Sequence, residues 1–101
     1  MVPNDIPKTV EEAIDHLTAK LPLRDKTKIA KMDRFDLGAL HMTIGPYIRD
    51  EFGLWRGNDE LLESCRILSG QDQLYMDAVS AMISNLLWAK LRRTHSVRLV
   101  K

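Results

Sequence analysis

Between Leu40 and Cys65 the chain reads LHMTIGPYIRDEFGLWRGNDELLESC, a helix, an abrupt stop and a second helix start in quick succession. Leu40, Ile44, Ile48 and Phe52 recur at steps of four and so line one face of an α-helix. Gly53 follows directly and can take the left-handed conformation that ends a helix, with Leu54 after it to make the accompanying apolar contact. Asn58 is then an N-cap, and Asp59 and Glu60 suit the positive end of the next helix. Nowhere does the chain alternate apolar and polar residues as a half-buried strand would. The expected fold class is therefore all-α.

The same signals divide the rest of the chain. Pro3 and Pro7 make residues 1–8 an extended lead-in, because each proline disfavours helical geometry in its predecessor. Thr9 and Glu12 form a capping box, and Val10, Ala13, Ile14, Leu17 and Leu21 make one stripe of a helix that Pro22 stops. Residues from Arg24 to Met32 predict a short basic helix, after which Asp33 or Asp36 caps the central one. Pro46 lies inside that central helix, where a proline costs about 3 kcal/mol and predicts a kink near Gly45. A fourth helix runs from Asn58 to about Leu68. The last spans Asp72 to Arg93, with Tyr75, Val79, Met82, Ile83, Leu86 and Leu87 on its buried face and Ser80 and Ser84 on its polar side. These elements make a compact single-domain bundle of about five helices over residues 9–94, followed by a short basic tail, 95–101. The central and last helices should pack together, and the loop from Gly53 to Asn58 should be tightly held.

A chain of 101 residues, 45% of them hydrophobic, suffices for one core. Fifteen basic against fourteen acidic residues leave a formal charge of +1, which carries no polyelectrolyte signal for nucleic acid or membrane. Charge is uneven only at the end, where Lys90, Arg92, Arg93, Arg98 and Lys101 occur without an acid. Cys65 is the single cysteine, so no internal disulfide can form and a reducing compartment is expected. The opening MVPNDIPK has no apolar run behind a basic start, and no stretch approaches the roughly 20 apolar residues that cross a bilayer. A soluble cytoplasmic protein without membrane contact is the expectation.

No catalytic set, metal site or cofactor motif assembles from these residues. His41 lies on the flank of the central helix near Gly38 and Gly45, where it is either a ligand or base beside a small-residue groove or a hydrogen-bonded group at a close helix contact. Arg49 with Trp55 can be read as a charged pocket roofed by an indole, or as a paired arginine and a tryptophan that closes the core. Cys65, among Leu61, Leu62 and Leu68, reads as a small buried hydrophobe. His16 and His95 lack ligand spacing, and Asp33, Asp36, Asp72 and Asp77 are accounted for by caps and surface. The last helix is apolar around much of its circumference, so it is either central or an interface along Ala81, Ser84, Trp88 and Leu91. A nucleic-acid reading would use Arg92, Arg93, Arg98 and Lys101 on phosphates, but the helix placed to read bases carries Asp59, Glu60 and Glu63.

Two runs carry a family resemblance. The opening Pro7-Lys8-Thr9-Val10-Glu11-Glu12-Ala13 has the form P-x-T-x-E-E-A. Leu40-His41, Gly45, Ile48-Arg49 and Leu54-Trp55 have the form L-H-x-x-x-G-x-x-I-R-x-x-x-x-L-W, with Phe52, Gly53, Asn58 and Leu61 alongside. Over residues 7–93 the chain resembles a family of small bacterial domains of unknown function. The resemblance implies no activity; the shared His, Gly, Arg and Trp mark where a common site would lie, and Pro46 and the basic tail depart from the pattern. The leading expectation is a non-enzymatic, self-associating or protein-binding domain. The alternatives are a weak nucleic-acid binder and a small-ligand sensor or enzyme built on His41 and Arg49.

Overall fold

The structure is a computed structural model that describes residues 6–95. It contains α1 (Val10–Lys20), α2 (Leu23–Ala30), α3 (Leu37–Glu51), α4 (Asp59–Ser69) and α5 (Met76–His95), with 3₁₀ turns at Arg34–Asp36 and Leu54–Arg56. The described residues include no strand, and the five-helix all-α architecture is the expected one.

Local chemistry sets the boundaries. The Thr9 hydroxyl accepts from the Glu12 amide at 3.1 Å, while the Glu12 carboxylate accepts from the Lys8 amide at 2.9 Å, one residue earlier than a capping box requires. Asp33 and Asp36 share the start of the central segment. Asp33 caps the first 3₁₀ turn through the Phe35 amide, and Asp36 accepts from the Asp33 amide. Helix α3 runs unbroken through Pro46. The proline stands on the exposed side, and the Met42 carbonyl that loses its donor belongs to a residue 80% exposed, where water can replace the missing amide.

Helix α5 is the axis of the molecule. It packs most extensively against α3, then α2, then α1. Val79, Ile83, Leu87 and Leu91 are fully buried along it, and so are Ser80 and Ser84, which the sequence placed on a polar side. Both serines satisfy their hydroxyls on their own helix, Ser80 donating to the Asp77 carbonyl at 3.2 Å and Ser84 to the Ala81 carbonyl at 3.0 Å. Small and internally bonded, they admit close neighbours without stranding a polar group. Tyr75, expected on the buried face, precedes the helix start and is 76% exposed.

The expected interface stripe on α5 is filled by the chain itself. Ser84 and Leu91 have no exposure left to offer, and Trp88 is half-buried with its Nε1 donating to the Met32 carbonyl, just beyond α2, at 2.8 Å. The Arg92 guanidinium lies 4.9 Å from the centre of the same indole. A helix in contact with all four others needs apolar residues on most of its circumference, so centrality accounts for the pattern.

The loop after α3 is held as expected. Gly53 and Gly57 take φ of +69° and +84°, the left-handed region that disfavours residues with a Cβ. Asn58 ties the loop down with its whole amide. Its Oδ1 accepts from the Leu61 amide at 3.3 Å, and its Nδ2 donates to the Phe52 carbonyl at 2.8 Å and the Pro7 carbonyl at 2.9 Å. Asp is as good an N-cap as Asn, but here it would aim a carboxylate oxygen at two carbonyls. Asn58→Asp is therefore expected to cost about 2–3 kcal/mol and to lower Tm by roughly 10–20 °C. An unchanged melting curve would show that the cap alone matters.

Trp55 does not close the core. Successive residues of a 3₁₀ turn point about 120° apart, and here Leu54 turns inward to 4% exposure while Trp55 stands 60% exposed.

Candidate functional site

Where α3 crosses α5, four polar side chains converge. His41 Nε2 lies 2.8 Å from Ser80 Oγ, Arg49 Nη1 donates to the same oxygen at 3.0 Å, and Arg49 Nη1 is 3.2 Å from Asp77 Oδ1. Gly45 makes this possible. A Cβ there would lie 2.8 Å and 2.9 Å from atoms of the His41 ring and 3.3 Å from Arg49 Nη1, so both side chains fold across the bare glycine to reach α5. The glycine thus accommodates side chains of its own helix. Gly38, the other expected groove residue, is exposed, with open space where a Cβ would stand.

A serine hydroxyl has one hydrogen and two lone pairs. Arg49 can only donate, and the Asp77 carbonyl can only accept, so all three contacts are hydrogen bonds when His41 Nε2 carries a hydrogen and donates. We assign that arrangement from the network. It directs the Ser80 hydrogen at a backbone carbonyl and leaves His41 no lone pair with which to activate the hydroxyl. A serine beside a histidine is the outline of a nucleophile and base, but a nucleophile must also be reached, and Ser80 has zero exposure. The cluster is a knot that locks α3 against α5.

The knot unites His41 and Arg49 of the expected ligand-binding set and places Trp55 on a separate exposed turn. Ser80 and Asp77, its other members, carry no sequence signal, because nothing local distinguishes a serine at a helix crossing from one on a wet face. His16 lies 3.5 Å from Glu51 Oε2 and stacks edge-on against Phe52 with centroids 5.2 Å apart; its Nε2 makes no hydrogen bond. Burial pushes the Cys65 thiol up to about 11, which removes the thiolate at neutral pH. Among the described residues no three His, Cys, Asp or Glu side chains come together as a metal site. Arg92 and Arg93 are exposed, whereas Arg98 and Lys101 lie outside the described residues. On α4, Arg66 is taken up by Glu63 at 2.7 Å.

The second unusual surface is the outer side of α3. From Leu37 to Ile48 there is no charged residue, yet Gly38, Ala39, Met42, Thr43, Pro46 and Tyr47 are all exposed. Phe35, in the preceding 3₁₀ turn, is 91% exposed and Met42 80%. Burial and then the Glu51 carboxylate raise the Tyr47 phenol above its usual range, so it too remains uncharged. The signal for this face was the absence of charge, which is legible once the inward residues are known.

These features define a small helical domain whose central crossing is pinned by part-buried polar contacts to the fully buried Ser80. The chain belongs to the family described as a domain of unknown function, DUF6794, whose model matches residues 6–91. The match takes in the knot and the whole of α3. No curated protein and no solved structure matches the chain. None of the helices among the described residues is long and apolar enough to cross a membrane.

Proposed function

We propose that this domain works by binding, and that its partner is a second copy of itself, met through the outer face of α3. The uncharged stretch from Leu37 to Ile48 carries the reading. A surface helix ordinarily presents charge to water, and an interface centre is instead poor in charge and rich in aromatic residues and methionine. Phe35 and Met42 fit that composition, and the small Gly38, Ala39 and Thr43 leave the helix flat enough for another to lie on it. The polar knot supports the role by preventing α3 from rolling, so that the same residues face outward. A buried, protonated Cys65 suits a reducing cytoplasm, where such a surface would act.

Light scattering on the full chain tests the reading. The wild type is expected to show a dimeric mass. Met42→Lys, with unchanged helicity and melting temperature, is expected to be monomeric. A wild-type protein that stays monomeric at the highest concentration reached rules the reading out.

A further inference from the structure

We infer that the second copy docks antiparallel, with a two-fold axis crossing α3 at Met42, and that Arg34 of each copy pairs with Asp50 of the other; this rests on the self-association proposed above. Gly38, Met42, Pro46 and Asp50 are four residues apart on α3 and all exposed, so they form one ridge; Arg34, exposed and four residues earlier, stands in the 3₁₀ turn at its N-terminal end. The ridge is symmetric about Met42 in an unusual sense: a cation and a glycine lie on one side, a proline and an anion on the other.

With the two helices crossing at about 50°, so that these inclined ridges run alongside each other, a two-fold axis perpendicular to α3 at Met42 brings position 42 − n of one copy opposite 42 + n of the other. Arg34 then meets Asp50 about 12–14 Å from the axis, at 1.5 Å per α-helical residue and about 2 Å per residue of the 3₁₀ turn. Gly38 meets the Pro46 ring, and the open space at Gly38 lets that ring approach the backbone. A two-fold axis along the helix would instead oppose Arg34 to Arg34 and Asp50 to Asp50. Antiparallel docking also sets the positive end of each helix dipole beside the negative end of the other.

Both charges are available for this pairing. Among the described residues neither Arg34 nor Asp50 has an ion-pair partner. Of the neighbouring charges, the Asp33 and Asp36 carboxylates are engaged in the cap and Arg49 in the knot, and Arg56 donates to the Asp50 carbonyl at 3.4 Å. The resulting contact is isologous and closes at two copies.

The test is a charge swap read by sedimentation equilibrium at low ionic strength. Arg34→Asp and Asp50→Arg each place like charges together at both ends of the contact and should weaken the dimer about tenfold or more. The double variant Arg34→Asp with Asp50→Arg restores opposite charges and should recover wild-type association. An acid just ahead of the helix and a base in its last turn both suit the helix dipole, so neither single change should lower the melting temperature. If the wild type dimerises and Met42→Lys dissociates it, but the charge variants associate like the wild type, the antiparallel register is overturned and the α3 interface stands. A monomeric wild type overturns both.

Discussion

Leu91→Glu is expected to unfold the protein. Leu91 is fully buried on α5, and a glutamate there must either strand an unpaired charge or bury a protonated carboxyl without a designed partner. The expected cost is about 5 kcal/mol, comparable to the entire stability of many domains this size. Circular dichroism should show helicity lost at 25 °C, while Leu91→Met, which nearly conserves volume, should cost under about 1.5 kcal/mol. The outcome discriminates between the two sequence readings of α5. A folded Leu91→Glu protein of reduced mass would return this face to the role of an interface, against the burial described above.

Ser80→Leu should cost roughly 3–5 kcal/mol, whereas Ser80→Ala should cost about 1–3 kcal/mol. Alanine removes the oxygen that accepts from Arg49 and His41 but keeps the close helix approach. Arg49 retains Asp77 at 3.2 Å, although that carboxylate is largely in water and holds it weakly. Leucine also forces extra carbons into a crossing where Ser80 has no exposure, so α3 must move away from α5. Chemical denaturation of both variants measures the difference. Equal losses would mean that the hydrogen bonds, rather than the close approach, hold the crossing.

These two positions also show why the last helix was harder to read than the others. On α1 a single stripe of Val10, Ala13, Ile14 and Leu17 is buried, and polarity reports burial faithfully because the opposite face meets water. On α5 four neighbours surround the helix, so the polar side inferred from Ser80 and Ser84 lies inside, Leu91 is core and Trp88 packs half-buried against it. Trp55 and Leu54 illustrate the same limit over one residue. Both are apolar, and only the orientation of the 3₁₀ turn decides which enters the core. For the site, His41, Gly45 and Arg49 could be selected from spacing on α3 because they share a helix flank. Their common target on α5 lies 31 to 39 positions away and had no local mark.

The sequence by itself determined the all-α class and most of the capping residues, because those depend on neighbours within four or five positions, although the last helix starts at Met76 and not at Asp72. The Asn58 cap on Leu61 and the left-handed Gly53 and Gly70 act locally, where side-chain hydrogen bonds and permitted φ values decide the conformation, whereas the Asn58 bond to the Pro7 carbonyl is tertiary. Only the tertiary structure decided which face of each helix is interior, that Ser80 receives both His41 and Arg49, and that the uncharged side of α3 is left facing solvent. Those outcomes depend on how helices distant in sequence divide a limited buried volume, and hydrophobic burial, being non-directional, does not encode its partners in any one segment.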